Sequence, residues 1–126
     1  MRAVDTNVLV RLITRDELAQ VAAADAFIEG GAWVSQLVLV EATWVLSAVY
    51  ELSPAQIGLA IEMLLNHKNL TIQDAEVASR ALEQYRKKTS LGFSDALVLE
   101  VARKAGHLPL GTFDHKLGKV EGAQRL

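Results

Sequence analysis

The sequence predicts an α/β protein, a three-layer α/β/α domain with a mostly parallel central sheet of four to five strands. Two observations predict it. Short apolar runs alternate with longer stretches of helical periodicity, and helix-start and helix-stop residues stand at the joins. Strands that alternate with helices return by crossovers and therefore pair in parallel. No repeat, low-complexity tract or linker interrupts the pattern, so residues 1–126 are expected to form a single domain.

Taken in order, Arg2 to Asp5 is an apolar-centred strand, and Thr6 to Ile13 follows as a helix with Val8, Leu9, Leu12 and Ile13 inward. Asp16 is the expected N-cap of a second helix that stops at Gly30-Gly31. Ala32 to Ser35 is a second strand, and Ser35 caps a helix over Leu37 to Tyr50. Ser53-Pro54-Ala55-Gln56 is a helix start, with serine at the cap, proline first inside and glutamine placed to reach back; that helix runs to Asn66. Leu70 to Ile72 is a third strand, Asp74 caps a helix to Lys88, and a last long helix covers Phe93 to Ala105 before Gly106. Leu108 to Phe113 is a fourth strand, and the final residues add a short fifth.

Composition narrows the class. Of 126 residues, 51% are apolar and 22% charged, enough apolar side chain for a core and too much for a disordered chain. The apolar run Leu37 to Val49 is too short for a membrane span and contains Glu41, and Asp5, Asn7 and Arg11 break any signal-peptide pattern, so a cytoplasmic location is expected. With no cysteine there are no disulfides or thiolate metal sites. The formal charge of −2 is not that of a general nucleic-acid binder.

Four carboxylates stand out from the other acids. Asp5 follows Ala3 and Val4, Glu41 lies in the apolar stretch Leu37 to Leu46, Asp95 lies in Phe93-Ser94-Asp95-Ala96-Leu97, and Asp114 follows the fourth strand. Each of three has an ordinary structural explanation: Asp5 as a helix cap, Asp95 as a first-turn acid favoured by the helix dipole, Asp114 in an Asx-turn. Glu41 has the weakest such explanation, because no solvated face is evident on its helix. Strand ends and helix starts are where open parallel sheets bind ligands. Half-buried acids gathered there repel, by about 4 kcal/mol for a pair 4 Å apart at an effective dielectric of 20. An all-oxygen cluster therefore calls for magnesium or manganese rather than zinc.

Val4-Asp5-Thr6-Asn7-Val8-Leu9-Val10-Arg11, Glu41 in its apolar helix, Phe93-Ser94-Asp95-Ala96-Leu97 and Gly111-Thr112-Phe113-Asp114 together closely resemble the PIN-domain nucleases, and within them the VapC toxins of VapBC toxin–antitoxin pairs. The resemblance runs from residue 1 to about residue 118, with the motifs in family order. It implies that Asp5, Glu41, Asp95 and Asp114 are catalytic and bind one or two Mg²⁺ or Mn²⁺ ions. It also implies supporting roles for Thr6, Thr112 and Asn7. Many relatives carry a further acid three residues before the third aspartate, where this chain has Gly92.

The activity implied is metal-dependent hydrolysis of RNA phosphodiesters, with a VapB-type antitoxin as inhibitor and a homodimer as the assembly. Arg11 and the run Arg86, Lys87 and Lys88 are candidate RNA contacts; for the run, a solvated helix end matched to the dipole is an equal alternative. His67, His107 and His115 are scattered, which disfavours a histidine-based ribonuclease, and Trp33 and Trp44 are expected in the core. Two other readings remain: a catalytically inactive PIN-like module that binds RNA or protein, and a haloacid-dehalogenase-type phosphatase. The latter needs a second aspartate where Asn7 stands.

Overall fold

The computed structural model describes residues 1–126, apart from the side chain of Thr89. Its strands are β1 (Arg2–Ala3), β2 (Ala32–Val34), β3 (Leu70–Ile72), β4 (Leu110–Thr112) and β5 (Ala123–Arg125). Its helices are α1 (Thr6–Thr14), α2 (Leu18–Ile28), α3 (Gln36–Ala48), α4 (Pro54–Asn66), α5 (Ala75–Lys87) and α6 (Phe93–Ala105). The class is α/β and every strand pair is parallel, as the alternation requires. The strands form a three-stranded sheet, β1-β2-β3, and a two-stranded sheet, β4-β5.

The chain divides into two compact units, Met1–Ala75 and Glu76–Leu126. In the first, α1 and α2 return β1 to β2, with Ala3 opposite Trp33, and α3 and α4 return β2 to β3, with Val34 opposite Ile72. Leu9, Ile28, Val34, Leu39, Leu46, Ile61 and Leu64 are fully buried, each burial stabilising the fold by about 1.5–3 kcal/mol before entropy is counted. The capping box at Ser53 is complete: Ser53 Oγ accepts from the Gln56 N–H, and Gln56 Oε1 accepts from the Ser53 N–H.

In the second unit α5 buries Val77, Ala78, Ala81, Leu82 and Tyr85 along one stripe. Tyr85 meets Phe93 edge-on, with ring centroids 6.2 Å apart, and so anchors the first residue of α6. The crossover from β4 to β5 contains a single 3₁₀ turn, Leu117–Lys119.

Several expectations need correction. Glu17, not Asp16, caps α2, with its carboxylate accepting from the N–H groups of Ala19 and Gln20. Arg15 takes a left-handed backbone (φ +51°) that ends α1, and Asp16 turns to other partners: Thr14 Oγ1 at 2.7 Å, the Tyr50 hydroxyl at 3.1 Å and Arg11 at 3.4 Å. Asp74 does stand directly before α5, but with a left-handed backbone, at φ +47°, where an N-cap is usually extended. The fourth strand is shorter than expected and begins at Leu110, after a cis Leu108–Pro109 bond.

The tryptophans are not core residues. Trp33 is the outward position of β2, 37% exposed, and Trp44 is 57% exposed on α3. α3 buries Leu39, Ala42, Thr43 and Leu46, which leaves Leu37, Glu41 and Trp44 on the opposite face. Apolar composition nearly all round the helix hid that face.

Candidate active site

In the first unit, Asp5 stands between β1 and α1 and is the N-cap of α1, its Oδ1 accepting from the Val8 N–H at 3.3 Å. The next residue, Thr6, donates its hydroxyl to Glu41 Oε2 at 2.8 Å, across thirty-five positions of sequence. The first two acids of the proposed set are thus tied to one segment, the start of α1. Asp5 and Glu41 are both exposed, so the expectation of half-buried acids does not hold for them. Solvent reaches each one.

In the second unit, Asp95 lies in the first turn of α6 and is partly buried. Burial lifts its carboxyl above the ordinary aspartate value, and the negative charge of Asp114 adds to the shift. Asp114 is exposed, two residues beyond β4. Its Oδ1 accepts from the N–H groups of Leu117 and Lys116, both at 2.8 Å, while its own N–H donates to Thr112 Oγ1 at 3.0 Å. The Leu117 and Lys116 amides, helped by the charge of Lys116, hold the Asp114 carboxyl below its ordinary value. The two acids of this unit are therefore opposites: Asp114 is built to stay ionised, and Asp95 is pressed toward protonation.

The cap at Asp5 and the turn at Asp114 are both formed as ordinary structure would have them. In each, Oδ1 takes the backbone bonds, so structural duty and ligand duty are compatible within one carboxylate. Among the described residues no group of three or more His, Asp or Glu side chains meets metal-ligating geometry. The acids occur as two pairs, each in its own unit. The donor chemistry nevertheless fits a hard cation: all oxygen, with one pair already in mutual repulsion.

Gly92 opens α6 with φ +83° and ψ 143°, a region open almost only to glycine. An acid at this position would strain the turn that delivers Asp95, which is a physical reason for its absence.

The other expected residues have definite places. Asn7 is exposed and lines a cavity of about 440 Å³ between α1 and α2, together with Val8, Arg11, Gln20, Ala23 and Phe27. The Arg11 guanidinium donates to Gln20 at 2.5 Å and to the Tyr50 hydroxyl at 2.9 Å, bracing α1 against α2 and the end of α3. Arg86 and Lys87 are exposed at the end of α5, and Lys88 Nζ donates to the Lys116 carbonyl at 3.3 Å, in the loop that holds Asp114.

Sequence reading missed two features here. Glu100 is buried and paired with Arg103 at 3.3 Å, and Arg103 in turn donates to the Glu121 carbonyl at 2.7 Å, fastening α6 to the start of β5. The i, i+3 spacing was the available signal. Arg125 Nη1 meets His115 Nδ1 at 2.6 Å, a contact made by strand pairing that no local spacing announces.

The PIN-domain family model matches residues 2–123. No curated protein and no solved structure matches the chain. Since the family match covers nearly the whole sequence and takes in all four acids, the chain belongs to the PIN-domain family, a family of nucleases.

Proposed function

We propose that the chain is a divalent-metal-dependent endoribonuclease in which Asp5, Glu41, Asp95 and Asp114 form one acidic centre within a single domain. In this reading it acts as the toxin of a toxin–antitoxin pair. The observation that carries the reading is the state of Asp95: its carboxyl is lifted by burial and by the charge of Asp114, on a nuclease-family scaffold. Acids kept near one another at such a cost suit a cation site.

Mg²⁺ or Mn²⁺, one or two ions, suits these oxygen donors, and such an ion supplies charge neutralisation and the activation of water toward a phosphodiester. The chain's own groups prepare the donors. Thr6 orients Glu41 through the 2.8 Å hydrogen bond, and Asp5 is held by the first turn of α1. Thr112 with the Lys116 and Leu117 amides fixes Asp114, directing the loop's donors to Oδ1 and leaving Oδ2 for a ligand. Asn7, next to Thr6, contributes a neutral polar group at the same helix start.

The cavity between α1 and α2 is the place proposed for a segment of a VapB-type antitoxin, because it joins apolar Val8, Ala23 and Phe27 to polar Asn7 and Gln20. A homodimer completes the reading, to be checked by molecular mass in solution. Among the described residues no helix is long and apolar enough to cross a membrane.

The deciding experiment is cleavage of labelled cellular RNA by purified protein with Mg²⁺, Mn²⁺ or EDTA, beside Asp5→Asn and Asp95→Asn. Metal-dependent cuts that vanish in both variants are expected. Folded protein that binds RNA and never cuts it would instead indicate a binding module.

A further inference from the structure

The formal charge of −2 is unevenly divided. Glu76–Leu126 holds nine Lys and Arg against six Asp and Glu, whereas Met1–Ala75 holds four against nine. A chain that is acidic overall therefore carries a basic unit, and such asymmetry between halves is a mark of nucleic-acid contact.

Within the basic unit, folding gathers particular cations around the loop after β4. Parallel pairing sets Arg125 opposite Thr112, two residues before Asp114. From there its Nη1 reaches His115 Nδ1 at 2.6 Å. A guanidinium only donates, so in this contact Nδ1 accepts and the ring's Nε2 side is left to face a ligand directly after Asp114. Lys116 is exposed in the same loop, and Lys88 comes from the end of α5 to donate to the Lys116 carbonyl at 3.3 Å.

The close approach of β5 to this loop depends on Gly118: a Cβ there would lie 2.7 Å from Arg125 Cβ and 3.3 Å from Arg125 Cα. A surface with no function beyond solubility does not require an arginine from the last strand to be packed against a loop of histidine and lysine. Neutralising Asp114 alone would need fewer charges, since the Leu117 and Lys116 amides already hold its carboxylate.

We infer that Lys88, His115, Lys116 and Arg125 form a phosphate-binding strip that holds the RNA backbone beside Asp114. The inference rests on the nuclease reading and adds the substrate contacts to it. The strip is sequence-independent: cations and one imidazole N–H meet phosphate oxygens, and base identity is left to other parts of the surface.

The test is binding of a fluorescein-labelled single-stranded RNA to the full chain in EDTA, where no cutting intervenes, across a series of salt concentrations. For single strands the slope of log affinity against log salt changes by about 0.7 for each phosphate that is no longer neutralised. Lys88→Gln, Lys116→Gln and Arg125→Gln are each expected to flatten the slope by about that amount, and the triple variant by about 2. Lys68→Gln, in the acidic unit, serves as the control and should leave the slope unchanged. Lys116→Arg, which keeps the charge, should restore it. If the parent binds RNA and the triple variant, still folded by circular dichroism, keeps the parental slope, the strip is not the binding surface. If the parent neither binds nor cuts RNA, the nuclease reading fails with it.

Discussion

At the scale of single residues, the four acids were legible because each stands where polarity is unexpected: after a strand, within an apolar helix, or in a first helical turn. What each one experiences was not legible, because exposure and hydrogen bonding depend on residues distant in sequence. Thr6 reaches Glu41 across thirty-five positions, and Asp95 feels Asp114 across nineteen. Asp95 gives a pH dependence whose sign is fixed. Its folded-state value lies above the unfolded one, so the ionised carboxyl opposes folding once pH exceeds the raised value. Below the ordinary aspartate value, about 3.9, both states are protonated and the penalty disappears. Asp95→Asn is therefore expected to be more stable than the parent at neutral pH without divalent metal, with the difference shrinking as pH falls through the window above the ordinary value. Asp114 contributes in the opposite sense, since its depressed carboxyl stabilises the fold above the ordinary value and loses this as pH falls through the depressed one. Comparing urea unfolding of parent and Asp95→Asn at each pH removes the part of that contribution that comes from the Leu117 and Lys116 amides, which both proteins share. A variant less stable than the parent at neutral pH in EDTA would refute the assignment of strain to Asp95.

At the scale of elements, the starts of helices were the most readable feature, because caps are local chemistry. Ser35 and Ser53 sit where the pattern of serine before an apolar run placed them. Asp16 failed as a cap because its carboxylate is drawn to Thr14, Tyr50 and Arg11, and Tyr50 lies beyond any local window. Trp33, Trp44 and the solvent face of Glu41 failed for a related reason: α3 is so apolar that composition does not reveal which stripe meets the core. Position within an element also decides what carries Asp95. The start of α6 is held by buried Phe93 against buried Tyr85, two residues from the acid. Phe93→Ala is expected to cost about 3–5 kcal/mol, the range for emptying a buried aromatic site. It should also lower nuclease activity under conditions where the variant is still folded, because the first turn of α6 loses its anchor. Chemical denaturation and cleavage measured on the same preparation would separate the two effects. A loss of stability with unchanged activity per folded molecule would show that Asp95 is positioned by its own helix alone.

At the scale of the whole molecule, the class and the parallel pairing were legible because alternation of strand and helix leaves few topologies. The uneven charge also lies in the sequence, but the boundary that separates an acidic from a basic unit depends on packing between residues far apart. That division sharpens the central question, since the two acid pairs lie one in each unit. Metal linkage can decide whether they serve one centre. A cation that binds only the folded chain stabilises it by about 2.7 kcal/mol at a hundred times its dissociation constant. If the four acids share the cation, removing a charge from either unit weakens the same site. Asp5→Asn and Asp95→Asn should then each abolish most of the Mg²⁺- or Mn²⁺-induced rise in unfolding free energy, and the double variant should lose little more. If the pairs bind metal separately, each single variant retains the other pair's share and the two losses add. The coupling energy from this double-mutant cycle, read from urea unfolding with and without metal, is the discriminating quantity. Strong non-additivity is the outcome that the proposed single centre requires, because two exposed carboxylates such as Asp5 and Glu41 bind a hydrated divalent cation weakly on their own.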